Sequence, residues 1–222
     1  MRFICYTCHL VYKGMFGLYF GLGREHILDI QGYDHILFVV ALCAVYLLRE
    51  WKQILILVTA FTVGHSITLA LATLQWVDVD SGWVEFLIPV TIFTTAVFNI
   101  FRVDRSTSVG HRGLQLNYAF ALFFGLIHGL GFSNFLRSLL GREQSLFTPL
   151  LAFNLGLELG QLLIVVMFLF LSFLAVDVLG ANRRDWKLVI SSAIAGIALV
   201  LIQQRIPFYN QLIGDYESPR FI

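Results

Sequence analysis

Asp34 and His35 stand side by side in the run Gly32-Tyr33-Asp34-His35-Ile36-Leu37-Phe38, at the mouth of a long apolar stretch. Two more histidines lie inside other apolar stretches. His65 sits within Thr62-Val63-Gly64-His65-Ser66-Ile67-Thr68, and His128 within Gly125-Leu126-Ile127-His128-Gly129-Leu130-Gly131. A further stretch carries Asn154, Glu158 and Gln161. At 3.6 residues per turn those three share one helix face, as do Thr62, His65 and Thr68. An ionisable group in an apolar span costs about 2.5–3.5 kcal/mol and is a functional hypothesis by default. Each has a plain alternative: one histidine in a span can be an interhelical hydrogen-bond partner, worth about 0.6 kcal/mol. Together, three imidazoles and two carboxylates with no arginine deep in a span ask for a cation. Imidazole with carboxylate and amide oxygen suits Ni, Co, Zn or Fe(II). No thiolate accompanies them, which argues against a Cu(I) or structural zinc site. His26, just ahead, reads with Asp29 as an entry ligand. Arg24 and Glu25 read as a solvated pair, and His111 as surface.

The composition says what must position these groups. The chain has 222 residues, 58% of them hydrophobic and 13% charged. Its mean hydropathy is +0.80. A bilayer span needs about 20 mostly apolar residues, and lipid-exposed backbone must be satisfied internally, so the spans are helices. Strands alternating over about ten residues, the mark of a β-barrel, are not visible. The expectation is an all-α polytopic membrane bundle of about six transmembrane helices, one integral membrane domain over 1–222. A net charge of +1 leaves no basic patch for nucleic acid.

In order, 1–13 reads as a polar-aromatic tail and 14–30 as an amphipathic interfacial or re-entrant segment. Spans are expected at about 33–48, 53–74, 86–101, 115–136, 149–176 and 188–203, with 33–203 forming the bundle and 204–222 a polar tail. The loops after the first, third and fifth spans hold eight Lys and Arg against four in the others. The positive-inside rule then puts both termini outward. No cleavable signal is evident. Cys5-Tyr6-Thr7-Cys8-His9 has the C-x-x-C-H form of a haem attachment site, but at this position it reads as a reduced tail. Cys43 reads as a small apolar filler.

Gly32-x-x-His35 in the first span matches Gly125-x-x-His128 in the fourth, and Phe61-Thr62-Val63-Gly64 matches Phe153-Asn154-Leu155-Gly156, at offsets of 93 and 92 residues. Three spans repeated in series are inverted in the membrane, and inverted repeats are typical of secondary transporters that bind where the halves meet.

On these runs the chain resembles the HupE/UreJ family of small membrane proteins. The carrying residues are His26, Gly32 to Phe38, Phe61 to Leu69, Phe124 to Phe132 and Phe153 to Gln161. The resemblance implies a multi-pass protein of the bacterial inner membrane that takes up nickel or cobalt, with His26, Asp34 and His35 handling the metal. The chain departs from hydrogenase-linked members, which carry a histidine-proline pair close before Gly-x-Asp-His. Here Ile27 follows His26, and the gap to Gly32 is longer.

Three functions compete. A secondary permease would capture a divalent metal at His26, Asp34 and His35 and pass it to His65, His128 and Glu158. Thr62, Ser66, Asn154 and Gln161 would serve as weak ligands or orient the imidazoles. With no Walker A run, its energy would come from a gradient or the membrane potential. A membrane-embedded zinc hydrolase acting on a lipid-like substrate would use the metal to activate water, with Glu158 or Asp34 as base and Ser66 as oxyanion contact or nucleophile. A structural subunit would scatter the histidines onto different faces. The oligomeric state, including a homo-oligomer, stays open.

Overall fold

In the computed structural model, residues 2–102, 111–133, 136, 138 and 146–206 are described, with side chains from Gly14 and, in the fifth helix, from Asn117. Among them are seven α-helices and no strand: α1 (Arg2–Leu28), α2 (Asp34–Cys43), α3 (Trp51–Thr73), α4 (Ser81–Phe101), α5 (His111–Gly131), α6 (Phe147–Phe173) and α7 (Arg183–Gln204). Four helical stretches are long and apolar enough to cross a membrane: Leu48–Thr73, Ser81–Phe101, Phe147–Val178 and Arg183–Gln204. The chain is a helical membrane protein. The C-x-x-C-H side chains lie outside the described residues, whereas Cys43 is a buried free cysteine, as expected.

The largest correction concerns the first expected span. The apolar run over 33–48 is not one helix, because α2 has only ten residues. Ten residues rise about 15 Å, half the thickness of a hydrocarbon core. The helix stops where distant side chains take its carbonyls. Asn99 Nδ2 donates to the Ala41 carbonyl at 2.7 Å, and Arg183 donates to the Val45 carbonyl at 2.9 Å. Arg183 also pairs with Glu50 at 2.8 Å, and Glu50 in turn accepts from the Leu47 backbone N–H at 3.0 Å.

The tail and segment expected over 1–30 are likewise one helix, α1, built into the bundle. Gly23 lies against the Phe153 carbonyl, Gly156 against that of Phe20, and Gly160 against Ile27. Since Gly23 meets residue 153 and Ile27 meets residue 160, α1 and α6 run in the same direction. The end of α1 therefore lies beside the middle of α6. From there α2 continues toward the opposite end of the bundle, where Asn99 and Arg183 hold it. So α1 and α2 form one crossing, broken at 29–33.

The same contact recurs between α3 and α5. Gly125 lies against the Phe61 carbonyl, Gly64 against that of Leu122, and Gly129 against His65 and Thr68. Gly23 thus stands to Phe153 as Gly125 stands to Phe61, and α1 corresponds to α5 as α6 corresponds to α3. The third helices of the two halves pack antiparallel: Lys187 Nζ donates to the Arg102 carbonyl at 2.6 Å, and Arg205 Nη1 lies 3.5 Å from that of Glu85. The register differs from expectation in one half. Gly23-x-x-His26, not Gly32-x-x-His35, is the partner of Gly125-x-x-His128.

Candidate metal centre

The break between α1 and α2 gathers the histidines. His26 comes from the last turn of α1, His35 from the first turn of α2, His65 from mid-α3 and His128 from the last turn of α5. His26, His35 and His65 each bring one ligand nitrogen to within 4.8 Å of the others. His128 stands edge-on to His35, with ring centroids 5.3 Å apart. His35, His65 and His128 are buried.

The hydrogen bonds fix which nitrogens carry lone pairs. Nδ1 of His35 lies 3.1 Å from Asp34 Oδ1. A carboxylate only accepts, so Nδ1 carries the proton and Nε2 keeps its lone pair. That Nε2 is buried without a hydrogen-bond partner. Thr91 Oγ1 donates its one proton to the Ile88 carbonyl at 2.7 Å and lies 3.2 Å from His128 Nε2. It therefore accepts from Nε2–H, and the buried, partnerless Nδ1 of His128 holds the lone pair. Neither nitrogen of His65 makes a well-formed hydrogen bond, although the Asn154 side chain lies toward it. His26 Nε2 is also buried and unpartnered. Buried polar groups without partners are few in native proteins, and each asks for a cause. Here four imidazoles on four helices share the same shortage, and a bound cation would relieve it.

A cavity of about 370 Å³ reaches the cluster, with His26, His35 and His128 in its walls. Two exposed carboxylates, Asp29 and Glu85, also line it. Below the cluster are rings: Phe38 lies 4.8 Å from Phe61 and 4.9 Å from His128. The arrangement is an acid-lined entrance over neutral nitrogen donors, closed beneath by aromatic side chains. Over residues 6–209 the chain matches the family model described as HupE / UreJ protein. It belongs to the HupE/UreJ family. No curated protein and no solved structure matches it.

In this HupE/UreJ protein the remaining candidates have hydrogen-bond partners of their own, Asp34 and Asn154 next to the imidazole cluster. Asp34 is beside it, but both oxygens are engaged: Oδ1 also accepts from the His35 backbone N–H at 2.9 Å, and Oδ2 pairs with Arg205 at 3.0 Å. The expectation that no cation neutralises the buried acids is thereby corrected for Asp34. Glu158 is half-buried and accepts from Thr59 Oγ1 at 2.8 Å. Thr62 Oγ1 donates to Gln161 Oε1 at 2.7 Å. These two bonds stitch α3 to α6. Ser66 donates back to the Thr62 carbonyl at 2.7 Å, and Asn154 to that of Leu150 at 2.8 Å. Arg24 pairs with Glu25 at 3.7 Å on the surface; the side chain of His111 lies outside the described residues. Arg205 and Thr91 were not among the sequence candidates. Arg205 follows the last apolar run, where a cation ordinarily reads as solvated.

Proposed function

We propose that this protein is a secondary permease for a divalent transition metal, with nickel or cobalt as the cargo. The observation that carries the reading is the set of unpartnered imidazole nitrogens from His26, His35, His65 and His128 at the base of an acid-lined cavity. Asp29 and Glu85 concentrate cations at the entrance. The histidines then replace water ligands with nitrogen, the donor that Ni, Co and Zn accept readily. Asp34 orients His35 and raises its basicity, as carboxylates behind metal-bound histidines do. The broken crossing supports the same reading, since transporters place their sites where a discontinuous helix meets the opposite repeat. On this reading the protein is a single multi-pass domain of the bacterial inner membrane, with both termini outward and the cavity facing out.

One observation favours the hydrolase. Three histidine nitrogens within 4.8 Å resemble a catalytic zinc site with an open position. The base and nucleophile it requires are otherwise engaged: Asp34 by Arg205 and His35, Glu158 by Thr59, and Ser66 by the Thr62 carbonyl. Reconstituted vesicles decide between them. Purified protein would be offered Ni, Co and Zn outside, and trapped metal counted over time alongside His35→Ala and His65→Ala. A permease accumulates metal far beyond one ion per protein and loses this in both variants. A plateau at about one ion per protein with no further gain would refute transport and favour the lipid hydrolase.

A further inference from the structure

We propose that Arg205 sets the metal selectivity of the site by holding the Asp34 carboxylate away from the ion. The inference rests on the metal-permease reading. Arg205 Nη1 lies 3.0 Å from Asp34 Oδ2, and its side chain lines the same cavity as His26, His35 and His128. The other Asp34 oxygen is committed to His35. An entering ion therefore meets nitrogen donors and, although Asp34 also lines the cavity, a carboxylate whose two oxygens are already engaged.

Arg205 is itself anchored on α4. Pro89 lies inside that helix and has no N–H, so the Glu85 carbonyl, four residues back, lacks its helical partner. The guanidinium of Arg205 lies 3.5 Å from that freed carbonyl. One planar, permanently charged group thus spans an acceptor on α4 and one on α2, a task that suits arginine more than lysine.

The consequence for selectivity follows from donor hardness. Mg, Ca and Mn favour carboxylate, carbonyl and water oxygen, whereas Ni, Co and Zn tolerate an imidazole set. With Asp34 withheld, hard cations gain nothing by leaving water. With Asp34 released, the floor acquires an anionic oxygen beside three imidazoles and admits Mn.

Titration calorimetry on the detergent-purified full chain, with Ni and Mn as probes, tests this. The wild type is expected to bind Ni about 100-fold tighter than Mn. In Arg205→Gln, Mn affinity rises about tenfold while Ni changes less than about threefold, so the ratio collapses. In Arg205→Gln combined with Asp34→Asn, both affinities fall because His35 loses its carboxylate partner, but Mn also loses the released oxygen, so the ratio returns toward wild type. An unchanged ratio in a folded Arg205→Gln overturns the proposal. So does an equal weakening of both metals in Arg205→Gln, which leaves the ratio unchanged and marks a purely structural arginine. If Arg205→Gln does not fold, Arg205→Lys carries the test. It keeps the charge but loses the fork, so a smaller rise in Mn affinity is expected and an unchanged ratio is again fatal. A wild type that binds neither metal removes the permease reading itself, and this inference with it.

Discussion

Asp34 Oδ1 lies 3.1 Å from Nδ1 of His35, and that contact decides which nitrogen of the ring faces the cavity. Asp34 acts here through His35. Asp34→Asn keeps an oxygen in place but loses the charge, so Ni affinity is expected to fall about 10–100-fold, the usual cost of losing such a partner. His35→Ala removes a ligand and should cost more. Calorimetry on both variants checks the order. Asp34→Asn matching or exceeding the loss in His35→Ala would make Asp34 a direct ligand instead.

Glu158 supplies a contrast. Its carboxylate accepts from Thr59 between α3 and α6, and it is absent from the histidine group. Glu158→Gln keeps an acceptor for Thr59 and should leave Ni affinity within about threefold of wild type, with a stability change of about 1 kcal/mol or less. A loss as large as that of His65→Ala, measured in the same titration, would return Glu158 to the metal path.

These two acids show what the sequence reveals and what it hides. A polar residue in an apolar run is conspicuous, so His35, His65, His128 and Glu158 all stood out. The run does not say which neighbour satisfies each one, and Thr59 answers for Glu158. The long helices α3, α4, α6 and α7 were legible because their apolar stretches are continuous. The end of α2 was not, because Asn99 and Arg183, far along the chain, take its carbonyls. The repeat was half legible. Both Gly23-x-x-His26 and Gly32-x-x-His35 fit the pattern of Gly125-x-x-His128, and only the helix contacts tell them apart. Arg205 is not legible in the sequence, because an arginine beyond the last apolar run has the ordinary look of a solvated end.

Beneath the histidines, Phe38 and Phe61 separate the entrance from a smaller cavity of about 90 Å³ at the other end of α2, lined by Leu57, Asn99, Asn117 and Phe124. Phe38 is fully buried and lies 5.9 Å from Phe124. Apolar constrictions block ions by excluding water. On the permease reading, Phe38→Leu raises downhill Ni flux through reconstituted vesicles, normalised to folded protein. Phe38→Ala raises it further, at a stability cost of about 3–5 kcal/mol. Flux that falls in both variants, with folding intact, would remove Phe38 from the barrier.

The glycine contacts make the last prediction, because they hold the histidine-bearing helices together. A methyl on Gly125 would sit 3.0 Å from the Phe61 carbonyl carbon and 3.1 Å from the His65 nitrogen. On Gly23 it would sit 2.8 Å from the Phe153 carbonyl carbon and 3.0 Å from the Leu157 nitrogen. The obstacle in each case is backbone, which cannot rotate aside, so the helices must separate. Overpacking of this kind costs about 1–3 kcal/mol. Gly125→Ala also pushes α5, with His128, away from α3, with His65, and Gly23→Ala moves His26 off the cluster. Both variants should therefore melt earlier in detergent and bind Ni more weakly. Gly196→Ala is the control, since nothing lies within 4 Å of its added methyl. There alanine replaces glycine in a helix interior and should stabilise by about 0.5–1 kcal/mol. Melting curves and Ni titrations on the three variants check the set. If Gly125→Ala melts and binds as Gly196→Ala does, the close approach of α3 and α5 is wrong, and the site built on it falls as well.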